Sequence, residues 1–478
     1  MKNIVFRRVF PFIYLTLLLG FSAVSVNTLS AQSTSKAEIA KQLLIPLMKG
    51  DEAKIKAIQD MRVSSETFSQ NSELTHIYFQ QHVGGIPVHN AILNVHVNRA
   101  NALFSHQNKL VDLPYEKTDP VINPVLTQAQ AIAAAAAHFK YTFTGGLTIK
   151  EDKGGPTREV IFNRGILSLE DIPVKLMWQP SKDGSLKLAW DLNIYELSAQ
   201  NWWSVRIDAM TGEILDQNNW VSQCFFGESE EPCTHQPGEH KEGLKNGHFL
   251  PKSILKVENE SLTPLDGSSY RVYPFPVESP NHVAPLPPAD GRTLVNEPAD
   301  ATASPFGWHD TDGIVGAEFT TTQGNNVHAY TDIDANNTPD VGSSPDGGAG
   351  LDFDFPLDLS MAPSTYRPAA VVNLFYWNNY IHDFASKYGF DEVSGNFQVF
   401  NYSGMGVGGD DVRAEAQDGS GVDNANFGTP PDGMRPRMQM YIGDNPNPDV
   451  DGDFDNAVIA HEYGHGISNR LTGGPANV

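Results

Sequence analysis

Between Ala457 and Leu471 the chain reads AVIAHEYGHGISNRL. His461 and His465 are four residues apart, so on a helix they project from one face and both imidazoles can reach one ion. Glu462 lies beside them, where a carboxylate can take a proton from water whose pKa a metal has lowered towards neutrality. Such water attacks a peptide carbonyl, and the same carboxylate then carries the proton to the leaving amine. With 15 His in 478 residues, H-E-x-x-H arises by accident in about two chains per hundred of this composition, and the flanks lower that further. Ile459, Ala460, Tyr463 and Gly464 are uncharged, so the helix can be buried. Asp455 stands where an N-cap is wanted, and Thr472-Gly473-Gly474-Pro475 stops the helix. A zinc pair with its general base outweighs the bland reading of a buried helix with two satisfied histidines.

A catalytic zinc site takes a third protein ligand. One class of sites places a third His six residues after the second, with a Gly between; here those positions hold Leu471 and Ser468. Residues 466–478 contain no Asp, Glu, His or Cys. The expected third ligand is therefore either upstream or beyond Val478. Upstream, His382-Asp383 are adjacent on a predicted helix and point to different faces, which favours a core or surface role. Closely spaced acids at 332–340 (DIDANNTPD) and 449–455 (DVDGDFD) raise calcium as a lesser reading, with Asx turns and a helix cap favoured.

The elements that must position these residues follow from periodicity and turn chemistry. Residues 369–390 read as a helix, 395–402 and 435–443 as strand-like stretches, and then comes the motif helix. Upstream, residues 32–60 read as a short helical lead-in, and 73–97 as a hairpin about Gly84-Gly85. Residues 127–141 form an alanine-rich helix capped by Thr127. KLAWDLNIYEL pairs with WWSVRIDAMTGEIL, which turns at Met210-Thr211-Gly212. The region from about 60 to 221 is α+β and has no cluster of reactive residues. From 222 to 265 the composition shifts to Glu, Gly, Pro, His and Lys, a linker in which His235 and His240 are solvated rather than ligands. Cys224 and Cys233 are compatible with a short-loop disulfide and make a poor zinc pair.

Lys2, Arg7 and Arg8, an apolar run from Val9 to about Val26 and small residues at Leu29-Ser30-Ala31 have the form of a signal peptide cut after Ala31. No other segment is apolar enough to span a bilayer. The net charge of −24 argues against nucleic acid or an anionic membrane surface as partner.

YRVYPFPVESP, NLFYWNNYIHDFASKYGF, DNANFG, RPRMQMYIGDN and DGDFDNAVIAHEYGHGISNRLTGGP together resemble the catalytic domain of the fungalysin family of secreted zinc metalloendopeptidases. YFQQHVGGIPVHNAILNVHV resembles the fungalysin/thermolysin propeptide, and WWSVRIDAMTGEIL a PepSY-type module. The resemblance implies an α+β zymogen: signal peptide 1–31, prodomain 32–221, linker 222–265, and a thermolysin-like peptidase domain over 266–478, incomplete at its C-terminus. It implies one catalytic Zn2+ on His461 and His465 and Glu462 as general base. Asn424 and Ala425 would bind the backbone of a protein or peptide substrate on an edge strand, and the chain's own prodomain would be the intramolecular inhibitor. It places the third ligand, a glutamate, beyond Val478, so residues 1–478 alone are expected to bind zinc weakly and to lack peptidase activity. The competing reading is a catalytically dead remnant whose prodomain serves as an inhibitor or folding module.

Overall fold

Alternating apolar and polar residues shape the first half of the chain. Leu74–Val83 and Ile86–Asn98 pair antiparallel about Gly84 and Gly85, whose φ angles of 58° and 81° are the left-handed conformation that a tight two-residue turn demands. Ile77 stands opposite Val95 and Phe79 opposite Leu93, all four buried. The helices Lys36–Leu44 and Glu52–Asp60 cover this face with Ala40, Leu44 and Ile58. The computed structural model describes residues 35–69, 72–111, 123–142, 146–225, 266–281, 291–444, 448–472 and 474; the leader expected at 1–31 lies outside them.

The hairpin continues into a ten-stranded sheet among the described residues, reached through Ile172–Pro180, Leu186–Tyr195, Trp202–Asp208 and Ile214–Asn219. Gln128–His138 packs on it through Ala131, Ile132 and Ala135. Thr127 and Gln130 form a full capping box at its start, each side chain serving the other's backbone N–H.

The second half is built on a five-stranded sheet in the order Val221–Phe225, Asn424–Gly428, Arg437–Met440, Val412–Ala416, Val327–Thr331. The helix Arg367–Ser386 is apolar on nearly every face and accordingly buried, with Val371, Leu374 and Phe375 in the core. Its asparagine amides donate within the core, although Asn378 Oδ1 has no partner among the described residues. Asn378 and Asn379 donate back to the carbonyls of Leu374 and Phe375, both at 2.9 Å. The molecule is thus mixed α+β.

Two expectations are corrected here. Residues 395–402 form no strand: Val399 N–H goes to Asn325 O at 2.8 Å and Phe400 N–H to the Asn325 side chain at 2.7 Å, so this backbone is satisfied by a loop rather than a ladder. Residues 222–225, expected to open the linker, instead extend the strand that begins at Val221. Polar composition hid this, because pairing to a neighbouring strand needs backbone groups and not apolar side chains. The remainder of the expected linker, 226–265, lies outside the described residues.

Candidate metal centre

The helix Asn456–Leu471 carries the H-E-x-x-H motif, and its position is set at both ends. At the start, Asp455 accepts from the N–H groups of Ala457 and Val458 at 3.1 and 3.2 Å. Asn456 donates to the carbonyls of Tyr273 and Val277 at 2.9 and 2.8 Å, and its own side-chain oxygen accepts from Asn373 on the long helix at 2.9 Å. Along its length, Tyr463 stacks edge-on against Phe397 with ring centres 5.5 Å apart. At the end, the fully buried Arg470 donates to the carbonyls of Pro430, Gly395 and Met434 and to the Asp410 carboxylate at 3.0 Å.

That scaffold brings the three predicted residues together. The Nε2 atoms of His461 and His465 are 3.1 Å apart, with their rings at 88°. One carboxylate oxygen of Glu462 and one nitrogen from each histidine lie within 4.8 Å of one another. Glu462 is 0% exposed, and both its carboxylate oxygens lack a hydrogen-bond partner. Burial raises its pKa to about 8. Two imidazoles converging at Nε2 from one helix face are the nitrogen donors that zinc takes, and the buried carboxylate beside them has no donor fixing it, so these residues fit zinc with Glu462 at its side.

Asn424 and Ala425 lie on the Asn424–Gly428 strand beside the motif helix. The outer edge of that strand is taken: Val221–Phe225 runs antiparallel to it, with Cys224 opposite Ala425 and Phe225 opposite Asn424. Cys233 lies outside the described residues.

The other candidates are not at the centre. His382 bonds Asp383 at 2.9 Å, and Asp383 also accepts from Asp300 N–H, Ser304 and Trp308, a buried structural network. In 332–340, both Asp332 oxygens accept from the N–H groups of Asn336 and Asn337. In 449–455, Asp451 caps the short turn Gly452–Phe454 and Asp455 the motif helix. These are the bonds of turns and caps.

Sequence reading missed two residues that seat the helix. Nothing in the spacing marks Arg470, whose partners are 36 to 75 positions away. Gly466 faces the core, and a Cβ there would come within 2.7 Å of Phe427 and 2.9 Å of Phe397. Gly466→Ala should therefore lose about 1–3 kcal/mol through overpacking. Chemical denaturation measures this; an unchanged midpoint would show that the helix has room.

Residues 269–478 match the family model described as fungalysin metallopeptidase (M36), and residues 59–110 the fungalysin/thermolysin propeptide motif. Extracellular metalloproteinase 5 of Arthroderma gypseum is 30% identical over 421 residues, 87% of this chain and 56% of that protein. Extracellular metalloproteinase MEP of Leptosphaeria maculans is 29% identical over 427 residues, covering 89% and 58%. Extracellular metalloproteinase 2 of Phaeosphaeria nodorum is 30% identical over 461 residues, covering 95% and 62%. The chain thus spans less than two thirds of the length of these curated relatives. With the propeptide motif placed ahead of the metallopeptidase region, and relatives aligned across both, the chain is similar to fungalysin metallopeptidases over residues 59–110 and 269–478.

Proposed function

We propose that this chain is the precursor of a secreted zinc metalloendopeptidase, in which residues 32–221 act as prodomain and intramolecular inhibitor and residues 266–478 belong to the catalytic domain. One observation carries the reading: two imidazoles converge beside a buried carboxylate that has no donor. Zinc held by His461 and His465 supplies Lewis acidity. Glu462, beside the pair and not needed as a ligand, takes the proton of the attacking water and passes it to the departing amine. Export accords with the leader-like N-terminus and with relatives named as extracellular. The alternative of a dead remnant has no observation in its favour.

The inhibitory role rests on strand pairing. An extended peptide bound through Asn424 and Ala425 would use the same edge of Asn424–Gly428 that Val221–Phe225 occupies. Substrate and prodomain strand then exclude one another. Hydrogen bonds and ion pairs fix the arrangement elsewhere: Glu170 to Arg413 at 2.6 Å, Gln200 to the Tyr441 hydroxyl at 3.0 Å, Asn337 to Leu197 O at 3.0 Å.

The 478-residue polypeptide offers two imidazoles at the centre, so it should hold zinc, but weakly compared with a site of three protein ligands. Competition against a chromogenic chelator measures this. His461→Ala and His465→Ala should each abolish the binding, and zinc uptake unaffected by either would remove the site.

A further inference from the structure

A second acidic cluster lies away from the motif helix, on the loop that follows Trp308. We propose that Asp310, Asp312 and Glu318 form a binding site for a hard divalent cation, calcium in particular, that neither the family matches nor the zinc centre accounts for. One carboxylate oxygen from each lies within 4.8 Å of the others. The loop is shaped to bring them together. Glu318 N–H bonds the carbonyl of His309 at 3.2 Å, closing the loop so that Glu318 returns to Asp310. Gly313 N–H bonds one Asp310 oxygen at 3.0 Å, and Ile314 N–H bonds Asp312 at 2.8 Å. Gly313 has φ of 76°, and a Cβ there would meet Phe400 at 2.7 Å, so this tight turn requires glycine.

The independent observation is the state of Asp310. Its side chain is 0% exposed. One oxygen accepts from Gly313 N–H and from the Tyr402 hydroxyl at 2.9 Å, while the other is buried with no partner. A buried carboxylate oxygen left without a donor is costly and rare. Burial pushes the Asp310 pKa up, and the negative charges of Glu318 and Asp312 add to it. A cation answers both the charge and the missing partner.

The other buried acidic cluster, Asp332, Glu415 and Asp418, also has a carboxylate oxygen without a partner, on Glu415, but there a cationic side chain, Arg437, is already paired with that carboxylate. Asp332 takes two backbone N–H groups, Asp418 takes Ser420 N–H and Gln439, and Glu415 takes the Tyr330 hydroxyl and the Arg437 guanidinium. The donor set at 310–318 is all oxygen, which selects calcium or magnesium over softer metals. Calcium–oxygen bonds of about 2.3–2.6 Å span oxygens up to about 5 Å apart, which accommodates the cluster as it stands. Two of the three carboxylates are exposed, so the affinity should be modest, with Kd of about 0.1–1 mM.

The test uses the whole 478-residue polypeptide, freed of divalent metal and titrated with calcium chloride by calorimetry and thermal unfolding. One calcium should bind, and the melting temperature should rise by about 2–4 °C at 10 mM. Asp310→Asn keeps the acceptor for Gly313 and Tyr402 but removes the charge, and should weaken binding at least tenfold. Glu318→Gln, at the exposed rim, should do the same without threatening the fold, and decides the matter if Asp310→Asn fails to fold. No calcium response in the unaltered chain, a response retained in Glu318→Gln, or one lost only in Asp418→Asn would each overturn the proposal.

Discussion

Glu462→Gln is expected to lower peptide hydrolysis by about 10²–10⁴-fold in any form of the protein that cleaves peptides, while leaving its zinc content unchanged. Glutamine keeps the shape and cannot take up a proton. The carboxylate it replaces is buried and without a hydrogen-bond donor, so no fixed partner is orphaned by the change, and the fold should hold. Zinc should remain because His461 and His465 are untouched and their nitrogens still converge. The loss should therefore fall in kcat. Paired measurements of kcat, KM and metal content separate this from a structural effect. Metal lost in parallel with activity would make Glu462 a ligand rather than a base, and near-normal turnover would place the base elsewhere.

Arg470→Met is the second substitution with a large expected effect, this one on stability. The guanidinium is fully buried, lies over Phe397 at 4.8 Å and pairs with Asp410, also 0% exposed. Removing one partner of such a pair leaves an uncompensated buried charge, at a cost of about 3–5 kcal/mol. Burial already raises the Asp410 pKa to about 7 against the pull of Arg470, and without the arginine it must rise further. The sign of the pH dependence follows. The unfolded chain releases this proton near the ordinary carboxylate value of about 4 while the folded variant holds it, so raising the pH above that favours unfolding. The unfolded chain is common to both proteins, so the deficit follows the two folded forms: it should grow as pH rises above about 7, where the unaltered chain ionises Asp410 beside Arg470 and the variant cannot. Urea unfolding at pH 9 and pH 5 measures it, and Arg470→Met combined with Asp410→Asn should recover part of the loss at the higher pH. An equal deficit at both pH values would mean that the lost carbonyl contacts, not the ion pair, dominate.

The chemistry of the centre was legible because it is local. His461, Glu462 and His465 sit within one helical turn and a residue, so their convergence follows from helix geometry once the helix exists, and Asp455 announces where it begins. The hairpin about Gly84-Gly85, the capped helix at 127 and the pairing of Leu186–Tyr195 with Trp202–Asp208 were legible for the same reason: each is specified by neighbouring residues. What pattern reading could not reach depends on partners far along the chain. Residues 395–402 look like a strand, yet their backbone is claimed by Asn325. Residues 222–225 look like linker, yet they pair with a strand two hundred positions later. Arg470 looks like one more helix residue until Gly395, Asp410, Pro430 and Met434 close around it. The same holds for Asp310, whose unpartnered oxygen exists only because the fold buries it beside Tyr402. Sequence alone determined which side chains could hold a metal and move a proton, since one helix suffices to align them. Only the tertiary structure decided what buries Glu462, what anchors its helix and what covers the adjoining strand, since burial and long-range pairing depend on distant segments.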